Sequence, residues 1–165
     1  MRMITGEVEQ ALSNGLYYLA VSVALALPDI CAALESADGQ ASGPKYKAWY
    51  RQWIGDLGTV LTPNDCYSLR CGVVHQGRFG HRNMQFSRVI FVLPNPSLNI
   101  GTARVITNDA LNLGAVGFCQ TMIEAVSQWA EATKTHPNVI ANLPRLVQMR
   151  EQGLAPYVVG VPVIA

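Results

Sequence analysis

Charge is scarce in this chain. Twelve Lys and Arg stand against 11 Asp and Glu, charged residues make up 14% of the 165, and the formal net charge is +1. That balance excludes a strongly polybasic nucleic-acid tail and an acidic solvating tract. The sequence also lacks a GxxxxGK[S/T] phosphate loop, a GxGxxG fingerprint, an HExxH helix, a CxxC pair and a GxSxG elbow, so the common nucleotide, zinc and hydrolase signatures are missing. Its carboxylates are scattered and offer no two-metal set. Cys31, Cys66, Cys71 and Cys119 have no metal-ligand spacing and fall in apolar helical patterns, which reads as free thiols in a reducing compartment rather than disulfides or zinc ligands. No metal and no cofactor are expected. Glu7 and Glu9 occupy the place of a basic signal-peptide region, so the expected location is cytoplasmic. With no repeat and no linker, residues 1–165 read as a single domain.

Against that sparse background, Thr62 to Arg82 concentrates the titratable groups: TPNDCYSLRCGVVHQGRFGHR. Thr62 can cap a helix that begins at Pro63, Asp65 suits its positive end, and Gly77 marks its stop. The helix carries Arg70 and His75, followed by Arg78, His81 and Arg82. Guanidinium groups hold phosphate in a planar fork, and imidazole moves protons near neutral pH. On an ideal helix Arg70 and His75 point about 140° apart, so they do not form a one-face pair. A second copy of the helix across a two-fold axis would supply the missing partner. The competing reading makes Arg70 the ion-pair partner of a buried carboxylate such as Asp29 or Asp65, and His75 a cap of helix-end carbonyls.

Arg70-Cys71-Gly72-Val73-Val74-His75 resembles the Arg, four to six residues, His signature of the HEPN superfamily, and the resemblance covers about residues 5–80 and 112–133. It implies a mainly α, HEPN-like helical bundle that acts as a metal-independent RNA endonuclease in homodimeric form. By that resemblance His75 assists proton transfer at the ribose 2′-hydroxyl and the leaving oxygen, Arg70 stabilises the scissile phosphate, and Arg78, His81 and Arg82 bind flanking phosphates. An antitoxin-like protein partner is a further implication. Many active members carry a polar residue directly after the Arg, where this chain has Cys71. The alternative is therefore a non-catalytic dimeric module of the same fold that binds a nucleotide, RNA or partner protein.

The remaining stretches set the expected frame. Residues 5–27 read as one long apolar helix ended or kinked by Pro28, too short and too interrupted to span a membrane and better buried against a partner subunit. Pro28 to Glu35 is a second helical piece, and Ser36 to Gly43 a loop. Lys45 to Leu57 places Tyr46, Trp49, Tyr50, Trp53 and Ile54 at helical spacing, with Lys47 and Arg51 four apart on another face. The aromatic period favours core packing over base stacking. Ser87–Leu93 and Thr102–Thr107 are strand candidates, read as a β-hairpin appended to the bundle over about residues 87–107. Residues 112–133 form a strong amphipathic helix with Met122 and Trp129 on the core side. Short helices surround Pro144, and Tyr157 to Ala165 is an extended apolar C-terminal tail.

Overall fold

The computed structural model describes residues 1–55, 61–80, 84–96 and 104–165. The chain is mainly helical, in the order α1 (Arg2–Ser13), α2 (Tyr17–Glu35), α3 (Gly43–Trp53), α4 (Pro63–Gln76), β1 (Arg88–Val92), β2 (Arg104–Thr107), β3 (Ala110–Gly114), α5 (Ala115–Ala132) and α6 (Pro137–Asn142). A 3-10 turn at Leu143–Arg145 and the short strands β4 (Met149–Arg150), β5 (Gly153–Leu154), β6 (Val158–Val159) and β7 (Val163–Ile164) complete it.

The expected 5–27 helix is two helices. Asn14 and Gly15 break it, Gly15 at φ 72°, and a glycine there costs no steric strain. Pro28, expected to end or kink the apolar run, lies inside α2, which takes in the second helical piece and continues to Glu35. An interior proline removes one backbone bond and costs roughly 3 kcal/mol. Here the loss is offset by burial on both sides of it, with Leu25, Leu27, Cys31 and Leu34 inside the core. Tyr46 of α3 donates its hydroxyl to the Leu25 carbonyl at 2.9 Å, in the turn before the proline. By length and composition α2 also suffices to cross a bilayer, yet it touches α1, α3, α4, α5 and α6. About half of that apolar stretch, 56%, is buried inside the protein.

α4 follows its local signals closely. Thr62 Oγ1 accepts from Asp65 N, and the Asp65 carboxylate accepts from Thr62 N, a reciprocal capping box with Pro63 in the first turn. At the other end Gly77 takes the left-handed conformation, with Gly77 N donating to Val73 O and Arg78 N to Gly72 O. The 5→1 bond from Gly77 N to Val73 O closes the last turn as an αL cap. Thr62→Ala is expected to lower stability by about 1 kcal/mol, read as a shift of the urea midpoint at unchanged slope.

The strands differ from expectation in their pairing. Residues 88–92 and 104–107 are extended, but they do not form a hairpin with each other. β3 lies between them, parallel to β1 and antiparallel to β2. The hairpin is β2–β3, turning at Asn108 and Asp109 with φ of 49° and 64°, the two-residue turn whose twist suits a hairpin and which Asn and Asp tolerate. Residues 110–114 therefore belong to the sheet, and α5 starts at Ala115 rather than near 112. Val89, Leu111 and Leu113 face the core, and Phe91 meets Phe118 of α5 with centroids 5.1 Å apart.

Met122 and Trp129 are buried as expected, and so are Tyr46, Trp49 and Tyr50. Trp129 Nε1 donates to the Glu35 carboxylate, which ties α5 to the end of α2. The C-terminal tail is not merely extended: β7 pairs with β4 and β6 with β5. Cys31, Cys66 and Cys119 are buried free thiols, and burial pushes Cys66 and Cys119 up to about 12. They are packing groups, not nucleophiles.

Candidate functional site

The solvent face of α4 carries Tyr67, Arg70, Cys71, Val74 and His75, all half-buried or exposed. Leu69, Gly72 and Val73 point the opposite way, into the protein. On an ideal helix this open sector spans about 140°, with Arg70 at one edge and His75 at the other. The two therefore flank one face, separated by Tyr67, Cys71 and Val74. Within a single chain they do not converge.

Arg70 leans off its edge toward α2. Its Nε lies 2.5 Å from Asp29 Oδ2, with the two side chains 23% and 11% exposed. Neither atom meets hydrogen-bond geometry, so the contact is a close Coulombic pair rather than an aligned bond. Burial raises the Asp29 pKa, and Arg70 opposes that only in part. Burial works against the Arg70 charge too, but Asp29 and Cys71 outweigh it and hold the guanidinium above its ordinary pKa. Tyr67, one turn earlier, is raised by burial and by its neighbour Cys71. The ion pair with Asp29 was the competing sequence reading for Arg70, and the structure contains it.

His75 occupies the last turn of α4 with its side chain exposed. No hydrogen bond or ion pair holds the imidazole among the described residues, so the carbonyl-capping role is not seen there. Arg78 is exposed in the turn that follows, while His81 and Arg82 lie outside the described residues. Gly72 fixes how that turn approaches the helix: a Cβ there would stand 2.5 Å from Gly80 O and 2.7 Å from Arg78 O. The glycine lets residues 78–80 fold back over α4 beside the His75 edge. Sequence reading gave no role to Gly72, although a glycine inside a helix is itself a signal of close approach.

Two surroundings were also not read from the sequence. Tyr18, Phe79 and Phe91 form a chain of ring contacts at 6.0 and 4.8 Å, and they line an apolar cavity of about 270 Å³ with Gly15, Leu93 and Ala115. On α2, Leu19, Ser22, Val23, Ala26, Ile30 and Ala33 are exposed or half-buried and fall within about 100° of arc. Asp29 sits beside that stripe on the side turned to α4. A half-buried, almost wholly apolar strip thus runs next to the Arg70 edge, with Leu19 exposed at its start, and Val74, 52% exposed, extends it onto α4.

Among the described residues no group of three or more His, Cys, Asp or Glu is placed to hold a metal ion. No protein-family model matches the chain, nor does any curated protein or solved structure.

Proposed function

We propose that this chain is a HEPN-like, metal-independent RNA endonuclease that works as a homodimer, with Arg70 and His75 at a composite site. The observation that carries the reading is the α2–α4 face. Among the described residues its apolar α2 stripe stays partly exposed, and it borders a helix surface that presents a half-buried guanidinium and an imidazole with no hydrogen bond or ion pair to those residues. Two copies joined along the stripe bury apolar area and set the α4 faces side by side, so that His75 of one copy approaches Arg70 of the other. His75 then takes or gives the proton at the ribose 2′-hydroxyl and the leaving oxygen, and Arg70 stabilises charge on the phosphate. Asp29 acts as a positioning residue, because it holds the Nε edge of Arg70 and thereby sets the direction of the remaining donors. Arg78 lies where a flanking phosphate would pass.

A second reading is supported by one specific observation. Arg70 already has a counter-ion in Asp29, and Cys71 stands where many active HEPN members carry a polar side chain. Both suit a non-catalytic dimeric module that binds a nucleotide, RNA or partner protein. Purified protein incubated with single-stranded RNA in excess chelator separates the two. Metal-independent cleavage, together with a dimer mass by light scattering, is the expected result. A monomer that leaves RNA intact while still binding nothing removes both readings, and a dimer that binds RNA without cutting it leaves the second.

A further inference from the structure

We propose that Lys47 and Arg51 of α3 form a phosphate-binding subsite at the opposite end of α4 from His75, which holds the backbone of the same single-stranded RNA. This rests on the RNA reading above and names a contact surface that reading does not contain. Lys47 and Arg51 are one helical turn apart and project to the same side. They converge on a cavity of about 400 Å³ whose wall also includes Asn64, Asp65 and Gln85. Tyr67 props the lysine, with Lys47 Nζ 5.2 Å from the ring centroid. Among the described residues neither cation pairs with a carboxylate, whereas Lys45 pairs with Asp38 and Lys134 with Glu131.

The carboxylate in the wall is already committed. Asp65 Oδ2 accepts from Thr62 Oγ1 at 2.6 Å and from Thr62 N at 3.3 Å, and Oδ1 accepts from Gln85 N at 2.9 Å. Asp65 N and Thr62 N are taken by the same capping box and Pro63 has no N–H, so the subsite draws chiefly on the two side-chain cations. A mixed polar wall with two cations rejects an apolar ligand and a metal cation, and suits an anion that accepts several hydrogen bonds. The surface then leads toward the candidate centre. Tyr67 stands one turn before Arg70 and Cys71, and His75 one turn beyond those. From Asn64 to His75 the helix rises about 16 Å, a span that a few nucleotides of one strand cover. Such contacts position the strand and read no base.

The test measures binding of a labelled single-stranded RNA oligomer by fluorescence anisotropy across a salt series, with full-length protein carrying His75→Ala so that cleavage does not interfere. Adding Lys47→Gln and Arg51→Gln together is expected to weaken binding about tenfold and to reduce the slope of log affinity against log salt by about 1.4, or 0.7 per lost contact. Lys47→Arg with Arg51→Lys keeps both charges and is expected to retain binding. Arg51→Gln alone, at an exposed position with no packing role, is expected to lose about half of the slope change at an unchanged melting temperature. Unchanged affinity and slope in the folded Gln variants overturn the subsite. Competition by inorganic phosphate at Lys47 and Arg51 without any binding of the RNA strand also overturns it, because the anion would then be a free phosphate. If wild-type protein binds RNA through these two residues but never cuts it, the subsite stands and the nuclease reading falls. If it cuts RNA and binding ignores them, the reverse holds.

Discussion

If the proposed nuclease reading holds, His75→Ala is expected to lower the RNA cleavage rate by about 100- to 10,000-fold, the span that a positioned general acid or base contributes. Folding stability stays within about 0.5 kcal/mol, because the side chain is exposed and a surface substitution away from any special feature changes little. The combination is what makes the result informative. A histidine that merely capped the helix would lower the melting temperature when removed, and a histidine on a bland surface would change neither quantity. Single-turnover cleavage in chelator, measured beside thermal unfolding of the same preparation, reads both numbers. A variant that cuts at the wild-type rate ends the catalytic assignment of His75. Mixing His75→Ala with Arg70→Ala protein adds a second check: a composite site across two copies restores part of the activity in the mixed dimer, whereas a site within one chain restores none.

Arg70→Met is expected to cost about 2 kcal/mol of folding stability near neutral pH, since removing the half-buried partner leaves the more buried Asp29 charge without compensation. Asp29, with its side chain 11% exposed, is the group left behind. Its pKa is already raised by burial in the intact protein, and losing Arg70 raises it further. An acid whose folded pKa lies above its unfolded value binds more protons when folded, so its contribution to stability is present below the ordinary carboxyl range. That contribution is lost as pH rises through the raised value. The Arg70→Met penalty is therefore largest at neutral pH and shrinks on acidification toward the carboxyl range. Urea unfolding at the two pH values checks the sign, and a penalty that grows on acidification contradicts it. Asp29→Leu combined with Arg70→Met regains most of the loss, because an apolar pair of similar volume avoids desolvating two charges. That double variant is also the control for the proposed catalysis: once its urea midpoint shows it folded, missing cleavage belongs to the removed Asp29–Arg70 pair and not to a weakened bundle.

The sequence by itself determined the features whose partners lie within one or two helical turns. Thr62, Pro63, Asp65 and Gly77 bound α4 because each satisfies backbone groups a few residues away, and no distant contact has to be known. The buried face of α5 and the aromatic stripe of α3 were legible for the same reason, through the helical period of apolar residues. Arg70 and His75 could be singled out as the candidate chemistry-bearing pair by residue type and by likeness to a motif. Tertiary structure alone decided where they point. Whether Arg70 faces solvent or a counter-ion depends on Asp29, 41 residues earlier, and on the packing of α2 against α4. Pro28 stays inside a helix because burial around it outweighs the lost backbone bond, a balance invisible to local propensity. β1 and β2 pair with β3 rather than with each other because strand pairing is a non-local choice: the residues at 110–114 complete the sheet's apolar face, and Asn108 and Asp109 supply a turn that closes β2 onto β3. Local rules fix the backbone's hydrogen bonds over short spans, and only the assembled core selects which distant surfaces meet.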